Sequence, residues 1–381
     1  MSKHKLGQYF TESILLKNKV KDFILNNPKT ILEPSVGQGD LVSYIKNTNI
    51  NFDMFEIDKT IKPLDGIDKN KIIYKDFIKE NIEKSYTTII GNPPFIRTKK
   101  GNLYIDFVHK CFNLLKENGE LIFIIPSDFF KLTSSSKLLI LMLKSGTFTH
   151  IFHPNDEKLF KDASIDVIVF RYCKNQSLPK KVLYNDNELH IINSNGLITF
   201  NTQNTDNFVL FKDYFHIYVG LVSGKEGVYK NNELGNFQVL NGKEKIDNYI
   251  FIKEFPSGIN EIDNYLKEHK EKLINRKIKK FNEKNWFEWG APRNIKNIEN
   301  NINKKCIYIS NLTRKTKVSF IDKVQYFGGG LICLIPKYEL NLEKICKYIN
   351  SIKFRQNFIF SGRFKIGHRQ ISNSFLPKKL L

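Results

Sequence analysis

A chain of 381 residues with 41% hydrophobic content is long enough for two packed cores and too apolar to be a disordered chain. Sixty Lys and Arg against 39 Asp and Glu leave a net charge of +21, which points to a polyanionic partner and away from an acidic small molecule. Five cysteines with no Cys-x-x-Cys pair argue against a disulfide framework and a zinc ribbon, and no apolar run reaches the length of a membrane span, so a metal-free cytoplasmic protein is expected.

In chain order, Gly7-Gln8-Tyr9-Phe10-Thr11 precedes a helical pattern through Ile14, Leu15, Leu16, Val20, Phe23 and Ile24, with Thr11 or Ser13 available as its cap. A short strand, Thr30-Ile31-Leu32, runs into Glu33-Pro34-Ser35-Val36-Gly37-Gln38-Gly39-Asp40 and then a helix. Strand, glycine turn and helix make the first βα unit of a doubly wound nucleotide-binding fold. The third glycine of a dinucleotide fingerprint is missing and the turn is acidic, which favours a ligand without phosphates.

The second strand ends at Glu56, placed to accept hydrogen bonds from both hydroxyls of a ribose. The third, Ile72 to Tyr74, delivers Asp76, an acceptor for an adenine amino group, and Phe77, an apolar face for its ring. The fourth, Thr87 to Gly91, delivers Asn92-Pro93-Pro94-Phe95. Two prolines remove two backbone donors yet keep two carbonyls, and Asn92 adds a side-chain carbonyl beside them. The loop therefore presents acceptors to a group that donates twice, with Phe95 as a flat face beside them, and an adenine fits. The plainer reading is a proline-stiffened turn with Phe95 in the core.

Three more strands, near Leu121 to Pro126, Phe148 to Phe152 and Ile165 to Tyr172, bring the count to seven and close an α/β domain at 1–174. Residues 175–215 read as a linker with irregular β structure, and 216–381 as a basic, β-rich α+β domain for target recognition. The charge follows that division, with net +6 in residues 1–174 and +15 in 175–381. Aromatics interleaved with Arg and Lys from Trp286 onward read either as a nucleic-acid surface or as a core under a basic shell.

The combination resembles the γ class of adenine-N6 DNA methyltransferases, the TaqI type. Their motif order appears here as Gly7 to Thr11, Glu33 to Asp40, Glu56, Asp76-Phe77, Asn92 to Phe95 and a basic C-terminal region. Phe95 departs from the family's commoner tyrosine, which keeps stacking and loses a hydroxyl. The resemblance implies a seven-stranded S-adenosylmethionine-dependent methyltransferase domain. Gln8, Tyr9, Phe10, Thr11, Glu33, Pro34, Ser35, Gly37 and Gly39 then lie toward the cofactor's methionine end, Glu56 with Ile57 at its ribose, and Asp76 and Phe77 at its adenine. It further implies Asn92, Pro93 and Pro94 at the target amino group, with Phe95 and Phe160 against a flipped-out base of double-stranded DNA.

No nuclease domain is expected before Gly7, so any cleavage would belong to a separate restriction endonuclease, and the enzyme is expected to act as a monomer on DNA. RNA adenine methylation and protein glutamine methylation stay open as alternatives. The second is disfavoured because the extra mass lies in a basic C-terminal half rather than a small N-terminal helical domain.

Overall fold

Thr30–Glu33 is short and buried from Ile31 onward, as a strand covered on both faces must be, and it pairs on both sides within the first sheet. The structure is a computed structural model and describes residues 9–45, 49–98, 101–160, 164–203, 205–360 and 362–381. It divides into two units, Met1–Asp206 with Phe360–Gly362, and Asn207–Ile359 with Arg363–Leu381.

The strands of the first unit are β1 (Thr30–Glu33), β2 (Asn51–Glu56), β3 (Ile72–Tyr74), β4 (Tyr86–Gly91), β5 (Leu115–Pro126), β6 (Thr147–Phe152) and β7 (Val167–Cys173). They lie in the order β3-β2-β1-β4-β5-β7-β6, parallel except for β7, which runs against both neighbours. Alternate residues serve opposite faces: Leu121, Phe123 and Ile125 meet one cluster, and Ile122 and Ile124 the other. The first cluster takes Tyr104, Phe107, Val108, Cys111 and Phe112 from the helix Leu103–Leu114. The second takes Leu16 and Val20 from the helix Ile14–Asp22, whose cap is Ser13, accepting from the Leu16 amide at 3.4 Å.

Of residues 175–215, expected to be a linker with irregular β structure, 181–201 instead extend the sheet. β8 (Lys181–Tyr184) pairs parallel with β6, and β9 (Asn187–Ser194) and β10 (Leu197–Asn201) follow antiparallel. Asn185-Asp186 and Asn195-Gly196 take positive φ at both positions, as two-residue hairpin turns require. Polar turns at close spacing gave this stretch its irregular texture, while Val182, Leu189, Ile191, Ile198 and Phe200 join the core. The first unit accordingly runs to Asp206, past the boundary read near Lys174.

A buried ion pair locks β5 to β7. Glu120, fully buried, accepts from Arg171 Nε at 2.8 Å, Thr88 Oγ1 at 2.9 Å and the Leu25 and Asn26 amides at 3.1 Å each. Replacing Arg171 by leucine would leave that carboxylate without its charge partner, a loss of about 3–5 kcal/mol. Urea unfolding of Arg171→Leu should show a drop of that order. A loss under about 1 kcal/mol would contradict this account.

In the second unit Phe215–Val219, Leu331–Pro336, Lys305–Ser310 and Ser319–Lys323 form an antiparallel sheet in that order. Both its faces are covered: Cys306, Tyr308 and Cys333 face a cluster with Trp286, Phe287 and Trp289, and Ile307, Ile309 and Leu334 face one with the helix Leu342–Ile349. Of the two readings of the aromatic run, burial selects the core for its first members, because Trp286, Phe287 and Trp289 are all under 10% exposed.

Candidate active site

Strand order reverses at β1, which has β2 on one side and β4 on the other. Chains leaving the C-terminal ends of β1 and β4 therefore diverge, and a crevice opens between them. It is a cavity of about 780 Å³ walled by residues that follow β1 to β4 and by one face of the helix Leu103–Leu114.

Glu33 ends β1 inside this crevice and is 2% exposed. Its Oε1 accepts from the Ser35 amide at 3.0 Å and its hydroxyl at 3.4 Å. Burial, with the nearby Glu56 carboxylate adding to it, pushes the Glu33 pKa up from 4.5 to about 8. The glycine turn that follows needs left-handed backbone at Gly37 (φ +55°) and Gly39 (φ +88°). A Cβ on Gly39 would also stand 2.8 Å from the Ile67 side chain.

Glu56 ends β2 and accepts from the Gly37, Ile57 and Asp58 amides, each at 2.9 Å. Those three donors leave about one of a carboxylate's roughly four acceptor positions, on Oε2, for a ligand. Burial raises its pKa as well.

After β3, Asp76 accepts from the Ile78 amide at 3.1 Å and pairs with Lys79 at 3.1 Å. Phe77 lines the crevice yet is 2% exposed, stacked on Phe107 with centroids 5.5 Å apart.

Asn92, at the end of β4, is fixed from a distance in sequence. Its Nδ2 donates to the Tyr9 carbonyl at 2.8 Å and to Thr11 Oγ1 at 3.0 Å. Because a backbone carbonyl can only accept, the amide cannot be turned round. Its Oδ1 is then left shut off from solvent with no hydrogen-bond partner. An orphaned buried acceptor costs about 1–3 kcal/mol, which an incoming donor would relieve. Pro93 follows in the chain with its backbone carbonyl.

Three rings gather beside this acceptor. Tyr9 stacks on Phe95 at 5.8 Å, and Phe160 meets Phe95 edge-on at 6.0 Å and Tyr9 at 5.8 Å. Phe160, an aromatic flanked by charges in the sequence, is 4% exposed and packs with Leu16, Val20 and Val167. Edge-to-face contact leaves no space between Phe95 and Phe160 for a base, so an entering base must displace a ring. The loop bearing Phe160 is pinned at its base, where Asp166 accepts from Ser127 Oγ and lies 2.9 Å from His153 Nε2, and His153 Nδ1 lies 2.9 Å from the Tyr184 hydroxyl.

Tyr9, Phe10, Thr11, Glu33, Pro34, Ser35, Gly37, Glu56, Ile57, Asp76, Phe77, Asn92 and Pro94 thus share one cavity wall, whereas Gly39, Pro93, Phe95 and Phe160 lie off it. Gln8 falls outside the described residues. Phe107 and Lys110 of the helix also face the cavity. They follow Leu103 at i+4 and i+7, one face of the helix, which was the available signal. Among the described residues no cluster of His, Cys, Asp and Glu is placed to hold a metal, and no helix is long and apolar enough to cross a membrane.

A family model described as Eco57I restriction-modification methylase matches residues 11–160. The type II methyltransferase M.MjaIV of Methanocaldococcus jannaschii is 31% identical over 200 residues, 44% of this chain and 67% of that protein. The chain belongs to the type II methyltransferases. The type II methyltransferase M.HincII of Haemophilus influenzae is 32% identical over 200 residues, 46% of this chain and 39% of M.HincII, so this methylase matches about two-fifths of that relative's length. MmeI, a type IIL restriction-modification enzyme solved in complex with DNA, superposes on 97% of this chain and 64% of its own with a TM-score of 0.60. At 10% identity that is a likeness of fold.

The methylase's cofactor is S-adenosylmethionine. The crevice fits such a cation carrying a nucleoside: buried Glu33 and Glu56 supply acceptors, and Phe77 supplies an apolar wall. With Glu33 ionising near 8 in the fold and near 4.5 when unfolded, the native state binds more protons between those values, so stability of the ligand-free methylase should fall as pH rises from about 4.5 to 8. Unfolding midpoints measured across that range should show the fall, and Glu33→Gln should flatten it. An equal slope in the variant would place the proton elsewhere.

Proposed function

We propose that this methylase transfers the methyl group of S-adenosylmethionine to N6 of an adenine extruded from duplex DNA, as the modification arm of a restriction-modification system. The observation that carries the reading is the buried, unpartnered Oδ1 of Asn92, whose residue is followed in the chain by Pro93 and its backbone carbonyl. Two fixed acceptors suit a group with two hydrogens to give, which an exocyclic amino group has and a ring nitrogen lacks. Bound S-adenosylmethionine supplies an electrophilic methyl on a sulfonium.

The adenine amino nitrogen is a poor nucleophile because its lone pair is delocalised into the ring. Hydrogen bonds from its two N–H groups to Asn92 Oδ1 and Pro93 O localise that pair and hold it in line with the methyl. With the methyl supplied by bound S-adenosylmethionine, Asn92 Oδ1 and Pro93 O would hold the amino nitrogen for attack, and the proton it loses on methylation would pass to water. Tyr9, Phe95 and Phe160 offer faces that offset the loss of stacking in the duplex, a few kcal/mol, once one ring has moved aside.

The DNA assignment draws on the names of the relatives, on MmeI's complex with DNA, and on the net charge of +16 in residues 207–381. The test is incubation with methyl-labelled S-adenosylmethionine and, separately, duplex DNA, RNA and a protein extract, followed by sequencing for modified adenines. Label in N6-methyladenine of DNA at a fixed site is the expected result. Label in RNA or in glutamine side chains would replace the substrate, label on N4 of cytosine would replace the base while keeping the paired acceptors, and label on C5 of cytosine would overturn their role.

A further inference from the structure

The turn after β3 holds three carbonyls that the backbone does not satisfy. The Lys79 and Glu80 amides both fold back onto Asp76 O, at 3.0 and 3.1 Å, which makes one helical turn and stops. Among the described residues no amide donates to the carbonyls of Phe77, Ile78 or Glu80. This is the situation at a helix C-terminus, where the last carbonyls need donors from outside.

Lys110, from the cavity-facing side of the helix Leu103–Leu114, supplies them. Its ammonium donates to Phe77 O, to Ile78 O at 3.2 Å and to Glu80 O at 2.5 Å. Three protons meet three carbonyls, so the group is saturated. The ammonium also sits 4.8 Å from the centroid of the Phe77 ring, whose other contacts are Phe107 and Phe55. Asp76, Phe77, Ile78 and Lys110 all line the crevice.

A lysine that only decorated the surface would have its head in water. Here desolvation pulls the Lys110 pKa down, with Asp76 and Glu80 acting the other way. Among the described residues no other hydrogen bond or ion pair joins the turn to the helix: the Lys75–Glu80 and Lys79–Asp76 pairs lie within residues 75–80. Lys110 is thus the polar tie between the Asp76-Phe77 turn and the helix that follows the Asn92–Phe95 loop.

We propose that Lys110 is a positioning residue for the adenine subsite of the cofactor, holding the Asp76-Phe77 turn in the geometry that receives the base. The proposal rests on the S-adenosylmethionine reading of the crevice. It assigns Lys110 no contact with the methyl group. Its effect runs through the placement of the Asp76 carboxylate and the Phe77 ring.

The experiment uses the full chain and calorimetric titration with S-adenosylhomocysteine and with S-inosylhomocysteine, which has a carbonyl in place of the adenine amino group. Wild type should bind the first and discriminate against the second. Lys110→Met should weaken S-adenosylhomocysteine by about tenfold or more and shrink the discrimination to within about twofold, because the acceptor is no longer held where the amino group arrives. Lys110→Arg, which still donates to carbonyls, should recover most of the discrimination and keeps the test decisive if the Met variant does not fold.

A merely structural lysine would lower the unfolding midpoint and leave the ratio of the two affinities where it was, and that result would overturn the proposal. Unchanged discrimination in Lys110→Met, or loss in Lys110→Arg as complete as in Met, would do the same. Failure of wild type to bind S-adenosylhomocysteine would instead overturn the cofactor reading itself.

Discussion

Asn92→Ala should lower the single-turnover methylation rate by about 100-fold or more, the scale seen when one preorganised hydrogen-bonding group is removed from a reacting centre. The variant loses the acceptor that stands unpartnered in the ligand-free site. It also loses the two bonds by which Nδ2 holds Tyr9 O and Thr11 Oγ1. Cofactor affinity should therefore slip too, by up to about tenfold, the equivalent of one neutral hydrogen bond at about 0.5–1.5 kcal/mol. Thr11→Val separates the effects, because it removes one anchor of the amide and leaves the Tyr9 carbonyl to orient Oδ1. Its methylation rate should fall less than tenfold. If Asn92→Ala kept more than a tenth of wild-type turnover with saturating cofactor, Oδ1 would have no place at the target amino group.

The second large effect concerns polyanion affinity. Residues 207–381 carry a net +16 and contain the whole of the second unit. The full chain should bind duplex DNA with a steep negative slope of log K against log salt. With 6–10 phosphate contacts the loss between 50 and 200 mM salt would be about 10³–10⁵-fold. A fragment ending at Asp206 should keep S-adenosylmethionine binding and lose the tight, salt-sensitive component. The cut belongs there and not at Lys174, because ending at Lys174 would strip β8, β9 and β10 from the sheet and uncover Val182, Leu189, Ile191, Ile198 and Phe200. Should the folded fragment bind the same duplex with the same salt slope, DNA affinity would reside in the first unit.

The aromatic trio offers a smaller but separable result. Base stacking on an aromatic ring is worth about 1–3 kcal/mol by alanine substitution, so Phe95→Ala should slow methylation and reduce the extruded population reported by 2-aminopurine at the target position. Phe95→Tyr should stay active because it keeps the face. Phe160→Ala tests two things at once, since that ring is also packed with Leu16 and Val20, so its unfolding midpoint must be read beside its rate. Unchanged 2-aminopurine signal in both alanine variants would leave the paired acceptors without a stacking partner.

What the sequence determined by itself was whatever local chemistry can write. Seven strands followed from apolar runs bounded by glycine, proline and asparagine, and Glu33, Glu56, Asp76 and Asn92 were found because ligands of a doubly wound sheet meet residues at strand ends. Tertiary structure decided what depends on distant contacts. The Tyr9 carbonyl, 83 residues away in sequence, sets which way the Asn92 amide points and so makes Oδ1 the open acceptor. Lys110 looks like one more helix lysine until the turn at Asp76-Phe77 folds beneath it. Phe160, flanked by charges, and Trp286 with Trp289, among lysines, are buried because neighbours far along the chain cover them. The strands after Lys174 escaped notice because tight turns fill them with asparagine, and only pairing with β6 shows that their alternate residues have a core to face. Composition and spacing describe a residue's own preferences, whereas burial and hydrogen-bond polarity belong to the pair it meets.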